Sequence, residues 1–458
     1  METTPDTART EPQQSNQPIG LARRLGFFDA TMIVMGGIIG SGIFMNPHVV
    51  AQYVHTPWLI LGAWIAGGLI ALAGAFVYAE LAARRPQVGG QYAYLREAYH
   101  PLVAFLFGWT LFLVSDCGGM AAVATTFGRY FIELTGIPLS ETAVAIGALA
   151  MLTIVNCLGV RTGSTVQNVF MIVKIIAVLA LIACGYLFIH HNQFSAHTQS
   201  TTAEAPFDLL TSFGAAMVPV MFAYGGWQTA NFVAGEIREP QKNLPRGLLF
   251  GVIGVIALYV GVNVISIRAL GADGLAISTT PASEVMYMAF GKTGSLLIAV
   301  GIAISTLGFL SQSILTAPRV YFAMAKDGLF FKSVAWLHPK SRVPVFAIAL
   351  QGVLAVAIAL SGTYEEILSY VVSNDFIFFG FTASCIFVLR SRSSRSDPLE
   401  ERFNMPGHPV TTLIFIAVCC FIVVNTIYKY PVNTLIGIGI VITGIPVYYF
   451  WRWWRRNG

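Results

Sequence analysis

One apolar stretch of this chain, residues 30–51, is long enough to cross a bilayer but contains residues that weaken a helix. A bilayer core takes about 20 helical residues. Four glycines lie between Gly36 and Gly42, and each costs about 0.8–1 kcal/mol relative to alanine inside a helix. Backbone that leaves the helix at this depth is tolerated only where it is buried in protein or lines a cavity. The stretch therefore predicts a discontinuous membrane helix.

A second stretch of this kind, Pro219–Trp227, lies inside the apolar run at residues 209–234. Proline and glycine both interrupt helices. Two Gly- or Pro-interrupted spans at corresponding places in two halves of a chain are the best sequence indication of a transporter's binding site. We therefore predict that spans 1 and 6 are discontinuous and that a binding site lies where they break. Taken alone, Gly36 and Gly40 would also suit close packing between helices.

The composition is that of a membrane protein. Of the 458 residues, 55% are hydrophobic and only 11% are charged, which is unlike a soluble domain. We count about twelve apolar runs and predict an all-α integral membrane fold. Basic residues concentrate in alternate loops, and this pattern predicts that both termini lie in the cytoplasm. The net charge of +5 arises from these loops and does not indicate nucleic-acid binding.

Several short motifs are spread over nearly the whole chain. They are Gly40–Phe44, Tyr78–Leu81, Pro86–Ala98, Phe222–Trp227, Gly235–Glu236, Asn243–Arg246 and Arg319–Gly328. Together they resemble the amino acid–polyamine–organocation (APC) superfamily, and most closely its bacterial L-type amino acid transporter (LAT) branch. The resemblance implies the leucine-transporter fold, with two inverted repeats of five helices, two peripheral helices, and discontinuous helices 1 and 6.

This fold divides the chain into four parts. Residues 1–20 are polar and are predicted to form a disordered cytoplasmic tail. The resemblance implies inverted repeats at residues 21–190 and 206–390, followed by peripheral helices at residues 409–455.

The resemblance also implies a function: secondary-active transport of L-amino acids across a bacterial cytoplasmic membrane by alternating access. It favours a sodium-independent exchanger of neutral amino acids. The alternatives are a proton-coupled symporter, a transporter of cationic amino acids or polyamines, and a membrane sensor of amino acids. We expect no enzymatic activity, no cofactor, no metal and no nucleic-acid partner; protons and the lipid bilayer are the other candidate partners. Eukaryotic members bond a heavy chain through a cysteine between spans 3 and 4, but residues 133–141 contain none, so no disulfide-linked heavy chain is expected.

A zwitterionic amino acid needs hydrogen-bond donors for its carboxylate and acceptors for its ammonium, and a broken helix offers both. The free N–H groups and positive dipole end of the second half-helix suit the carboxylate, whereas carbonyl groups freed at both breaks suit the ammonium. The predicted substrate-binding residues are Ile38, Ser41, Gly42, Phe222, Ala223 and Gly225. Phe222 is the expected aromatic gate, and Tyr224 and Gln228 are candidates for selectivity.

A lysine lies in the middle of an apolar span. Holding Lys174 at mid-membrane costs at least ~2.5–3.5 kcal/mol, so it should face a partner or a cavity. By resemblance to bacterial APC transporters, its ammonium would occupy the position of a sodium ion in sodium-coupled relatives. It would contact carbonyls near Gly37 and Ile38 and the hydroxyls of Ser305 or Thr306. Two roles stay open, a fixed cationic strut and proton coupling.

Several acidic and basic side chains also lie within or at the ends of spans. Asp116 lies near the middle of span 3 and could bind a basic substrate side chain, carry a proton or accept hydrogen bonds from neighbouring helices; the structural role is slightly favoured. Glu80, Glu236 and Arg319 lie near the ends of spans, where we expect solvated charges more than buried ion pairs.

Overall fold

The computed structural model describes residues 23–189, 206–360, 364–392 and 403–457. The tail predicted at residues 1–20 lies outside the described residues. The division into repeats at 21–190 and 206–390 and peripheral helices at 409–455 stays a prediction.

Helices account for the regular structure of the described residues, and an isolated backbone bridge joins Leu25 to Ile237. The α-helices are α1 (Phe27–Ile38), α2 (Gly42–Tyr53), α3 (Pro57–Arg84), α4 (Gln91–Ala98), α5 (Pro101–Thr110), α6 (Asp116–Thr135), α7 (Glu141–Cys157), α8 (Val160–Phe188), α9 (Pro206–Tyr224), α10 (Pro240–Ile277), α11 (Pro281–Thr316), α12 (Pro318–Lys326), α13 (Val345–Ala359), α14 (Tyr364–Arg392), α15 (Val410–Lys429) and α16 (Pro431–Asn457).

Within these described ranges, 10 helical spans are long and apolar enough to cross a membrane, and two shorter apolar helices, Glu141–Cys157 and Val345–Ala359, accompany them. The structure thus confirms the prediction of an all-α membrane fold with about twelve spans. A π-helical segment, Leu111–Ser115, joins α5 to α6 within one of these spans.

Both predicted breaks are present. The first helical span ends as α1 at Ile38 and resumes as α2 at Gly42, with extended backbone at Ile39. In the later span, α9 ends at Tyr224 and a 3₁₀ segment begins at Trp227, after Gly226 turns the chain at a φ of 97°. A residue with a Cβ is strained at this φ, which explains a glycine at the turn.

The two breaks lie against each other, backbone to backbone. A Cβ built on Gly226 would lie 2.1 Å from the carbonyl oxygen of Gly37, and one built on Gly37 would lie 2.6 Å from the carbonyl oxygen of Gly226. A Cβ on Gly42 would likewise lie 2.8 Å from the Cα of Ala223. The glycines therefore allow both broken helices to open at one place in the bundle.

Long helices surround the meeting point. Helix α10 packs along α3 and α1, and α11 packs along α8 and α6. Helix α14 reaches α6 and α9 from another direction. Side chains from α6, α8, α10, α11 and α14 can therefore reach the broken backbone.

One end of the bundle is held together by buried ion pairs, and we call it the arginine-rich end. Arg319 Nε donates to Glu236 Oε1 at 2.7 Å, and both side chains are fully buried. Glu80 is also buried and accepts from Arg84 and Arg390, each at 2.7 Å. The expectation of solvated charges at these positions was wrong, because neighbouring helix ends cover them.

The same end ties the segment before α1 to the end of the 3₁₀ segment. The backbone N–H groups of Arg24 and Leu25 donate to the carbonyl of Glu236 at 2.9 and 3.0 Å, and Arg238 N–H donates to the Leu25 carbonyl at 2.8 Å. Glu236 thus links the segment before α1 through its backbone carbonyl and α12 through its side chain.

We predict that Glu236→Gln destabilises the protein strongly, because it leaves the Arg319 guanidinium buried without a counter-charge. Breaking one side of a buried ion pair typically costs about 3–5 kcal/mol. Thermal unfolding of the purified protein in detergent should show a melting temperature several degrees lower.

The matched control is Glu141→Gln, which removes an exposed pair with Arg129 whose N–O distance is 3.5 Å. Exposed pairs contribute about 0–1 kcal/mol, so the melting temperature should change little. Equal melting temperatures for the two variants would contradict a stabilising role for Glu236.

Candidate functional site

A cavity lies where the two breaks meet. Its walls include all six predicted substrate-binding residues, together with Asp116 and Gln228. Residues of α11 and α14 complete it, among them Gln312 and Asp375. The cavity measures about 70 Å³, several times the roughly 10–15 Å³ that one water molecule needs. It is therefore a space for a ligand more than a packing defect.

One wall of the cavity offers unpaired donors. No side chain caps the N-terminus of α2, and the first N–H groups of a helix have no acceptor within the helix. The hydroxyl of Ser41 is buried and has no hydrogen-bond partner. These groups, with the positive end of the helix dipole, suit a carboxylate.

The freed carbonyls of the two breaks meet at one tyrosine of α10. The hydroxyl of Tyr259 lies 2.9 Å from the Ile38 carbonyl oxygen and 3.1 Å from that of Ala223. The Ile38 carbonyl, predicted to face an ammonium, is thus already engaged on one side. A carbonyl has two lone pairs, so both oxygens can accept a second hydrogen bond. Sequence reasoning missed Tyr259, because a tyrosine in an apolar helix carries no distinguishing signal.

The turn of the second break is held by its own side chains. The N–H of Gly226 donates to Gln228 Oε1 at 3.1 Å, and the hydroxyl of Thr229 donates to the Gly226 carbonyl at 2.7 Å. The Gly225 N–H donates to the Phe222 carbonyl at 3.1 Å. Phe222 is half-buried at the cavity wall. Gln228 therefore shapes the turn, whatever it adds to selectivity.

Tyr224, the other candidate for selectivity, lies outside the cavity lining. Its ring packs against Trp64 and Tyr259, and its hydroxyl is buried without a partner. The structure places it behind the break, where it supports Tyr259.

Lys174 reaches the back of the first break from α8. Its fully buried ammonium donates to the carbonyl oxygen of Ile39 at 2.6 Å and to that of Gly36 at 3.4 Å. These carbonyls flank the ones that the sequence indicated. Gly308 of α11 leaves room for the lysine, because a Cβ there would lie 2.6 Å from Lys174 Cε.

The two hydroxyl groups predicted beside Lys174 bond elsewhere. Ser305 donates to the Gly40 carbonyl at 3.4 Å, so it does support the same break. Thr306 donates to Ala303 and Ile302 in its own helix, at 2.8 and 3.1 Å. Among the ion pairs of the described residues, none includes Lys174.

Asp116 begins α6 directly after the π-helical segment, a feature often found at functional sites. It lines the cavity and accepts from Gln351 Nε2 at 2.6 Å. Asp375 of α14 lines the same cavity, and sequence reasoning missed it. The signal was available, because Asp375 interrupts the apolar run at residues 367–389 just as Asp116 interrupts span 3.

The family described as amino acid permease matches residues 25–451. The chain belongs to this family. The resemblance to APC transporters and their LAT branch is thereby confirmed, and the discontinuous spans of this permease agree with the leucine-transporter fold.

Three curated relatives cover most of the permease chain. The serine/threonine exchanger SteT of Bacillus subtilis (strain 168) is 32% identical over 94% of this chain and 97% of its own length. The large neutral amino acids transporter small subunit 2 of Homo sapiens is 30% identical over 96% of this chain and 82% of its own. The b(0,+)-type amino acid transporter 1 of Mus musculus is 28% identical over 100% of this chain and 95% of its own. The permease is therefore an amino acid transporter.

We predict that Tyr259→Phe slows transport, because it removes the hydroxyl that joins the two breaks. The Ile38 and Ala223 carbonyls would lose a buried donor, and such a loss costs about 1–3 kcal/mol. Uptake into proteoliposomes should fall by about tenfold or more, since 1.4 kcal/mol is a factor of about ten.

Tyr224→Phe is the matched control, because it removes a neighbouring hydroxyl that has no partner. We expect its uptake to stay close to that of the unmodified protein. Equal losses in both variants would show that the hydroxyl of Tyr259 has no special role.

Proposed function

We propose that this permease is a sodium-independent exchanger of L-amino acids that works by alternating access. The observation that carries the proposal is the pairing of the two breaks at one cavity. Unpartnered donors lie on one side of this cavity, at Ser41 and the start of α2. Ile38 and Ala223 line another side, and their carbonyl oxygens lie within hydrogen-bond distance of the Tyr259 hydroxyl.

The proposed binding mode uses the groups that every amino acid shares. The substrate carboxylate takes the N–H groups at Ser41 and Gly42 and the Ser41 hydroxyl. The ammonium donates to the second lone pairs of the Ile38 and Ala223 carbonyls. Phe222 at the cavity wall closes over the substrate. Hydrogen bonds to charged groups are worth about 1.5–3 kcal/mol each, so a few of them suffice for micromolar to millimolar binding.

Lys174 accounts for the proposed sodium independence. Its ammonium occupies the Ile39 and Gly36 carbonyls, and its positive charge would repel a sodium ion from these oxygens. With no ion-pair partner in the described part of the chain, the lysine acts as a strut for the broken backbone. Its second candidate role, proton coupling, is favoured by its complete burial, which disfavours the charged form of a lysine.

We further propose that the arginine-rich end faces the cytoplasm of a bacterial cell, with both termini on that side. Basic residues near the ends of spans favour this orientation. The hydrogen bonds from Arg24 and Leu25 to Glu236 then close the cytoplasmic side. For release into the cell, α1 and the 3₁₀ segment must separate there.

Exchange is proposed over uniport because a relative of similar length, SteT, is named as a serine/threonine exchanger. Proton-coupled symport is the second candidate, since buried Lys174 could carry a proton. An exchanger needs an amino acid on the opposite side of the membrane, whereas a symporter needs a proton gradient, so uptake assays can separate the two.

The test is uptake of labelled amino acids into proteoliposomes. Vesicles preloaded with unlabelled amino acid should take up label much faster than empty ones, with sodium or without it. Uptake into empty vesicles that follows an imposed proton gradient would favour symport. Sodium-driven uptake, or no uptake of any amino acid, would contradict the proposal.

Lys174→Ala in the same vesicles separates the two roles of the lysine. Loss of bonds from a charged donor should lower exchange by about ten- to a hundredfold, at every pH, if the lysine is a strut. If the lysine is instead a proton carrier, exchange by Lys174→Ala should stay measurable but no longer depend on pH. Unchanged rate, affinity and pH dependence would remove any role for Lys174.

A further inference from the structure

The ionisable side chains that line the cavity are all acidic in the described part of the chain. Asp116 and Asp375 are the acidic residues of its lining, and the lining contains no lysine, arginine or histidine in the described part of the chain. Neither acid takes part in the ion pairs of the described residues. The buried ammonium of Lys174 is engaged by carbonyls behind the break and lies outside the lining. The cavity lining therefore offers two carboxyl groups and no basic side chain to pair with them.

Neutral groups hold the two acids in place. Asp116 accepts from the amide of Gln351 at 2.6 Å, and Asp375 has the Ser115 side chain as its polar neighbour. Neutral donors orient a carboxylate but do not cancel its charge, and an ionised carboxylate without a counter-charge is unfavourable inside a membrane protein. A cation that enters the cavity would relieve this cost.

An independent observation on α11 points to the same kind of ligand. Gln312 lines the cavity and is fully buried, and its carbonyl oxygen Oε1 has no hydrogen-bond partner. The orientation of the Gln312 amide follows from Thr229. The Thr229 hydroxyl donates its proton to the Gly226 carbonyl, so the Thr229 oxygen accepts from Gln312 Nε2 at 2.6 Å. The amide nitrogen is thus occupied and the oxygen is left as a free acceptor.

These acceptor groups suit a ligand that carries several N–H donors. Two carboxylates and an amide oxygen can only accept when the acids are ionised, whereas a side-chain ammonium has three N–H donors and a guanidinium five. We propose that the cavity binds L-amino acids with a positively charged side chain, and that Asp116, Asp375 and Gln312 form the subsite for that charge. The proposal rests on the proposed function, because the Ser41 wall must hold the substrate carboxylate.

The proposal differs from the substrate class that the resemblance favours. A neutral substrate would leave both acids without a counter-charge unless they bind protons. A diamine would satisfy the acids but leave the Ser41 hydroxyl and the start of α2 without a carboxylate. A cationic amino acid meets both requirements at once.

The test compares substrates that differ in one charge. Arginine and citrulline have nearly the same shape, as do lysine and norleucine, but only the first of each pair is cationic. In exchange assays with preloaded proteoliposomes, the permease should take up arginine and lysine at least about tenfold better than their neutral counterparts, as expected for one charged hydrogen bond. Equal uptake of arginine and citrulline would overturn the proposal, and better uptake of the diamine putrescine than of lysine would do the same.

Variants then assign the preference to the two acids. Asp116→Asn and Asp375→Asn should each lower the ratio of arginine uptake to citrulline uptake by about tenfold or more, because each removes one charged hydrogen bond to the substrate. Glu133→Gln is the matched control, since it removes an exposed carboxylate from the same helix as Asp116, and its ratio should not change. Ratios that stay high in both Asn variants would overturn the subsite.

Failure of this inference can be told apart from failure of the proposed function. Exchange of citrulline or norleucine without any preference for cations would leave the exchanger standing and remove the cationic subsite. A second outcome combines two results: the protein shows no preference for cationic amino acids, and the Asn variants abolish its response to an imposed proton gradient. In that case the acids bind protons and the inference is wrong. Uptake of no amino acid at all would remove both.

Discussion

The contact between the two glycine-containing breaks is the constraint on which the rest of the structure depends. Gly37 and Gly226 approach so closely that a Cβ on either would overlap the other's carbonyl oxygen. At this contact, both helices lose their regular backbone hydrogen bonds. Residues of both breaks line one small cavity, where we propose that donors from α2 and acceptors from both breaks act on a single ligand.

Opening two helices inside a membrane protein frees buried carbonyl groups, and the surrounding helices supply donors for them. Lys174 of α8 serves Ile39 and Gly36, Tyr259 of α10 serves Ile38 and Ala223, and Ser305 of α11 serves Gly40. Unsatisfied groups in such a setting cost several kcal/mol each. The donors come from three different helices, so the shape of the site depends on how these helices pack. A shift of one helix would change the site, which is what alternating access requires.

The sequence predicted the features that leave a local signature. Glycine and proline inside apolar runs located both breaks, and length with hydropathy predicted about twelve spans. Side chains whose role depends on what lies opposite could not be predicted in this way. Tyr259 looks like any apolar-face tyrosine until α10 is packed on α1, and the burial of Glu236 and Arg319 appears only once α12 covers the 3₁₀ segment. Asp375 is different, since its position inside an apolar run gave a readable signal.

The central claim is that the cavity grips the two charged groups common to all amino acids, whatever the side chain. The most direct test is competition for exchange in proteoliposomes by derivatives of one transported amino acid: the parent compound, its methyl ester, its N-acetyl form and the amine left after decarboxylation. The account predicts that only the parent, with both a free carboxylate and a free ammonium, competes strongly. An ester or amine that competes as well as the parent would contradict it.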